Sequence, residues 1–149
     1  MPAPRQAIID VEFFLRELSK MTDDGKNLRR LVDDPETAQN FLRWLEDLGK
    51  RLVEKKVKTA QIRKSLERIR RIYLGMLKGK KRDQEIVAEV KMLATIFAYD
   101  AGRHPEQLKE LYQIIRWVID RVKTPEDFIV LKQLMEGIVA FHRFYGGRE

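Results

Sequence analysis

Apolar residues recur along this chain at spacings of three and four, and no stretch alternates with the two-residue period of a strand. The pattern predicts helices throughout. The first covers residues 5–20, with Ile8, Val11, Leu15 and Leu18 on one face, and Asp23-Asp24-Gly25 breaks it. A short helical turn is expected over residues 27–31. Asp34-Pro35 opens the next helix: the carboxylate can accept from free amides, and the proline lacks only a donor that would be unpaired there. Phe41, Leu45, Leu48 and Leu52 form its stripe, with Trp44 on the flank.

Thr59 is the expected N-cap of a helix carrying Ile62, Leu66, Ile69, Tyr73 and Met76, which ends at Gly79. Residues 82–101 form a fourth long pattern, with Ile86, Val90, Leu93 and Phe97 inward. Val87, Ala94 and Ala98 widen this stripe, which suggests a central helix, and Gly102 is expected to stop it. His104-Pro105-Glu106 starts a helix with Leu108, Leu111, Ile115, Val118 and Val122 inward. Thr124-Pro125-Glu126-Asp127 starts the last, which carries Phe128, Leu131, Met135, Ile138, His142 and Tyr145 and ends at Gly146-Gly147. Short connections favour antiparallel packing. The expected fold is all-α: a compact antiparallel bundle of five to six helices, with residues 1–149 as a single domain.

Composition supports a packed core, since 44% of the 149 residues are hydrophobic. With no cysteine, neither a disulfide framework nor a thiolate metal site is expected. The apolar runs are far too short to span a bilayer and the start lacks a signal-peptide pattern, so a cytoplasmic location without membrane association is expected. No Gly-rich phosphate loop, His-Glu-x-x-His pattern or metal-ligand cluster occurs. A non-enzymatic protein without cofactor or metal follows. His142 has core-facing spacing and is expected to be a hydrogen-bonded structural residue. His104 is expected in a loop, and Trp44 and Trp117 in the core.

Charge changes the picture. The chain carries a net +7, yet residues 50–82 hold fourteen Lys and Arg against Glu54 and Glu67. That local balance of +12 leaves −5 for the remainder. At about 100° per residue, Lys64, Arg68 and Arg71 point nearly opposite Ile62, while Arg63 and Arg70 fall on a shoulder. Lys50, Arg51, Lys55, Lys56 and Lys58 lead into this helix, and Lys78, Lys80, Lys81 and Arg82 leave it. A solvated face is the ordinary reading of surface charge. Here the imbalance favours a polyanion, because crowded like charges repel without a partner. Nothing resembles a base-reading motif, so contact with a nucleic-acid backbone is the expected mode.

Three segments resemble the small subunit of type III-A CRISPR–Cas (Csm) complexes. Lys58-Thr59-Ala60-Gln61-Ile62-Arg63-Lys64 is similar to the family's Thr-x-Gln-Ile-Arg helix start. Ala98-Tyr99-Asp100-Ala101-Gly102-Arg103 resembles its Ala-Tyr-x-x-Gly-Arg. Residues 135–147 resemble its C-terminal helix, with an aromatic-rich His-x-aromatic stretch and paired glycines. The three segments span roughly the last two thirds of the chain, and the N-terminal third resembles nothing in that family. The resemblance implies a non-catalytic subunit that stacks along the complex beside guide and target RNA, in antiviral defence. Its partners would be those RNAs, the other Csm subunits and further copies of itself, by stacking or dimerisation. It carries RNA contact to Arg63 and Lys64. Charge alone extends the expectation to Lys50, Arg51, Lys55, Lys56, Lys58, Arg68 and Arg71. Arg103 is a further candidate that could equally cap carbonyls or pair with an acid. Phe141, Phe144 and Tyr145 form either a contact patch or part of the core. Two other readings stay open: a helix-turn-helix DNA binder using the junction at 55–63, and an assembly protein whose positive face meets an acidic partner.

Overall fold

The computed structural model describes residues 9–149, so the expected start of the first helix, including Arg5 and Ile8, lies outside the described residues. Those residues form seven α-helices and no strand. They are α1 (Val11–Met21), α2 (Arg30–Asp33), α3 (Pro35–Glu54), α4 (Thr59–Leu77), α5 (Asp83–Arg103), α6 (Pro105–Arg121) and α7 (Pro125–Phe144). The expected all-α bundle is therefore present, as five long helices, α3 to α7, with two shorter ones before them.

Side-chain caps fix several helix starts. Asp10 accepts from the Phe13 amide at 3.0 Å. Asp34 accepts from both the amide and the hydroxyl of Thr37, at 2.9 and 2.6 Å. These two bonds hold its carboxyl below the ordinary aspartate value. Thr124 accepts from the Asp127 amide at 3.2 Å. Thr59 differs from expectation, since it is the first helical residue and Lys58 is the cap. The Gln61 carbonyl oxygen reaches back to accept from the Lys58 amide at 2.9 Å, leaving the Thr59 side chain buried. Asp23, Asp24 and Gly25 all take left-handed φ, which turns the chain after α1.

Gly102 does not stop α5; it lies inside the helix, which runs on to Arg103. The stop comes from Pro105, whose ring disfavours helical backbone at His104. The central helix is α7 rather than α5. It packs against α3, α4, α5 and α6, and buries Phe128, Val130, Leu131, Leu134, Met135, Ile138 and His142. By contrast, α5 leaves Met92 and Tyr99 exposed. Trp44 lies in the core, edge-on to Phe14, and its indole N–H donates to the Phe14 carbonyl at 3.1 Å. Trp117 is half-buried beneath the Arg121 guanidinium, 3.8 Å from the ring centroid. Lys91 closes the end of α6 by donating to the Ile119 and Asp120 carbonyls. Burial pushes its ammonium below the ordinary lysine value, against the opposing charge of Asp120.

The α3–α7 contact is close at Gly49, where a Cβ would stand 2.6 Å from Phe141 Cβ and 3.0 Å from the His142 backbone nitrogen. Gly102 faces open space. The same substitution should therefore change sign between the two sites. Gly102→Ala is expected to stabilise by about 1 kcal/mol through helix propensity. At Gly49→Ala that gain is outweighed by overpacking against backbone, which costs about 1–3 kcal/mol. Urea midpoints of the two variants on either side of the parent check this.

Candidate nucleic-acid interface

Helix α4 lies between α5 and α7 and turns Ile62, Leu66 and Ile69 into the core. Its remaining surface has two shoulders. On the α5 side stand Lys64, Arg68 and Arg71, all exposed. Among the described residues no carboxylate forms an ion pair with any of the three, nor with Lys56, Lys58, Lys78 or Lys80. Even Glu67, the acid on this helix, pairs with none of them. Arg68 and Arg71 line a groove of about 480 Å³ with Ile72, Met92 and Ile96. Lys64 lines a smaller cleft of about 110 Å³ with Asp100, Arg103 and His104. The fold thus brings Arg103 to the same side of α4 as Lys64. Its guanidinium leans on Tyr99, 5.9 Å from the ring centroid, and it stays exposed.

Apart from Lys50, the rest of the basic block is divided among carboxylates, some within a turn or two in sequence and others far away. On the α7 side, Arg63 pairs with Glu149 at 3.0 Å and Arg70 with Glu136 at 3.5 Å. Arg51 lies between Asp47 and Glu54 along α3, at 3.6 Å from each. Lys81 pairs with Glu89, and Arg82 with Glu85 at 2.9 Å. The Arg82 bonds hold the Glu85 carboxyl below its ordinary value. All of these pairs are substantially exposed, and such pairs are worth only about 0–1 kcal/mol, so their cations can exchange partners.

Lys55 is different. Its side chain is only 9% exposed and meets Glu110 of α6 at 2.7 Å. That internal pairing sets Lys55 apart from the exposed cations of the block. Lys50 stays exposed, with its ammonium 4.6 Å from the Tyr145 ring centroid.

The C-terminal aromatics split between the two alternatives. Phe141 packs half-buried against the core, Phe144 is 77% exposed, and Tyr145 meets Phe144 edge-on. His142 is fully buried, with Nε2 2.7 Å from the Val57 carbonyl, so Nε2 carries the hydrogen and donates. Sequence reasoning missed Arg143 and Glu149, which come up to Arg63 from the far end of the chain. No local signal links positions so distant. Among the described residues no cluster of three or more His, Asp or Glu could hold a metal ion, and no helix is long and apolar enough to cross a membrane.

Fold and surface together define a class: a small all-α protein with a cation-rich block on α4 and the segments that flank it. The family model described as Csm2 Type III-A matches residues 35–148, from α3 to the segment after α7. The chain belongs to that family, the small subunits of type III-A CRISPR–Cas (Csm) complexes. A curated relative from Streptococcus thermophilus, "CRISPR system Cms protein Csm2", is 34% identical over 93 residues, covering 61% of this chain and 74% of the relative. No solved structure matches. All three resembling segments lie within the matched region, whereas α1 and α2 lie before it.

Proposed function

We propose that this chain is a non-catalytic, RNA-contacting small subunit that stacks with copies of itself along a Csm effector complex in antiviral defence. It would act in the cytoplasm beside guide and target RNA and the other Csm subunits, with no cofactor. The observation carrying this reading is the triplet Lys64, Arg68 and Arg71. These three cations share one exposed face of α4 and have no internal carboxylate partner among the described residues. Arg103 comes to the same side of α4 as Lys64, Arg63 stands on the α7 shoulder, and Lys50, Arg51, Lys56 and Lys58 are further exposed cations outside α4; Arg is suited to bidentate phosphate contact. Stacking would multiply contacts that are weak singly, since linked sites bind with an avidity that one site lacks.

Binding of a mixed-sequence single-stranded RNA and of duplex DNA, measured at matched salt with the chain alone and in the assembled complex, tests the reading. The expected result is a preference for RNA, little dependence on base sequence, and a fall in log K with log salt of about 0.7 per phosphate contacted. Equal or tighter binding of duplex DNA would favour the DNA-binding reading. Assembly with no RNA affinity at any salt, lost on charge reversal of α4, would favour an acidic protein partner.

A further inference from the structure

Away from the α5-side triplet, one carboxylate gathers two arginines from different helices. Glu149 Oε1 lies 3.0 Å from Arg63 Nη2 on α4 and 3.7 Å from Arg143 Nη1 on α7. The approach of this carboxylate is built by the chain before it. After α7 the Tyr145 and Gly147 amides donate to the Phe141 and His142 carbonyls, at 2.9 and 2.8 Å. Gly146 takes a left-handed φ of 95°. Gly147 is buried beneath the His142 imidazole, where a Cβ would overlap the ring. The Arg148 carbonyl then accepts from the Thr59 amide at 2.6 Å, so the tail is tied to the start of α4 one residue before Glu149.

Two guanidinium groups converging on one oxygen repel each other unless an anion lies between them. The same planar fork that binds a carboxylate binds a phosphate. All three side chains remain about half exposed or more, at 47%, 63% and 60% for Arg63, Arg143 and Glu149, so solvent and solute anions can reach them. We propose that Arg63 and Arg143 form a clamp for one RNA backbone phosphate, and that Glu149 fills this clamp as an internal competitor when RNA is absent. The clamp rests on the RNA-binding reading above and extends it. It adds Arg143, places a phosphate on the α7 shoulder opposite Lys64, Arg68 and Arg71, and takes the strand across the first turns of α4. It also sets a threshold, because RNA gains the two arginines only by displacing Glu149.

Glu149→Gln and Arg143→Gln in the full chain test the clamp. With a mixed-sequence single-stranded RNA at fixed salt, E149Q is expected to bind about two- to fivefold more tightly, the scale of one exposed ion pair. R143Q should bind more weakly, with a salt slope smaller by about 0.7. The E149Q gain should shrink in the R143Q background. An E149Q protein that binds RNA no better than the parent, when the parent does bind, overturns the clamp. A second measurement does not depend on RNA: inorganic pyrophosphate is titrated into E149Q while the arginine Nε–H resonances are followed by NMR. Saturable shifts at Arg63 and Arg143, abolished by R143Q, support the anion clamp. If they occur without RNA binding, the RNA reading fails and the anion site stands. Absence of saturable shifts shows that the arginines form no anion site and overturns the clamp.

Discussion

Replacing Lys64, Arg68 and Arg71 together by glutamate is expected to lower affinity for single-stranded RNA about a hundredfold or more at moderate salt. Each of the three side chains is exposed on one face of α4 and lacks an ion-pair partner among the described residues, so none has an internal role to lose. Removing three phosphate contacts should flatten the salt dependence by about two units of slope. Reversal, unlike neutralisation, adds repulsion of the strand. Stability should barely move, since exposed substitutions away from special features usually stay within about 0.5 kcal/mol. Relief of like-charge crowding along α4 pushes slightly toward stabilisation. A control triple, Lys26→Glu, Lys109→Glu and Lys123→Glu, changes the net charge by the same amount at exposed positions elsewhere. Equal loss of RNA affinity in both triples would mean that total charge, rather than the α4 face, attracts RNA.

The α4 face was legible because helix geometry is local: residues opposite Ile62 must point outward wherever Ile62 points inward. The same periodicity located the stripes of α3 to α7, and cap chemistry found Asp34 and Thr124. What escaped was everything set by distant partners. A count of fourteen cations treats Lys55 and Lys56 alike, yet one meets Glu110 in a partly closed space and the other faces solvent. Nothing near Arg63 in sequence announces Glu149 or Arg143. Helix α5 looked central because its apolar stripe is wide, but a stripe cannot tell how much of itself is covered. Met92 and Tyr99 remain in solvent, while α7 is covered by four neighbours. At Gly102 the glycine suggests a stop, yet the proline three residues later sets the boundary, since glycine is tolerated in a helix and proline is not.

His142→Ala is expected to destabilise the chain by about 3 kcal/mol, and the cost should partly cancel when Gly147→Ala is added. The imidazole is fully buried and ties three segments together: α7, the Val57 carbonyl before α4, and Gly147 in the turn after α7. Truncation removes ring contacts and leaves a cavity, as in other large-to-small core changes costing about 2–5 kcal/mol. It also leaves the Val57 carbonyl without its donor, a loss of about 1–3 kcal/mol where water cannot replace it. At about 2–4 °C per kcal/mol for a chain of this size, the melting temperature should fall by roughly 10 °C. Gly147→Ala alone destabilises for the opposite reason, because its methyl would overlap the ring. With the ring gone, that methyl enters the vacated space, so the two changes should couple by more than about 0.5 kcal/mol in the favourable direction. Additive losses in the double mutant would show that overlap with the imidazole is not the source of the Gly147→Ala cost. The contact under the imidazole would then not be what directs the tail toward Thr59 and Arg63.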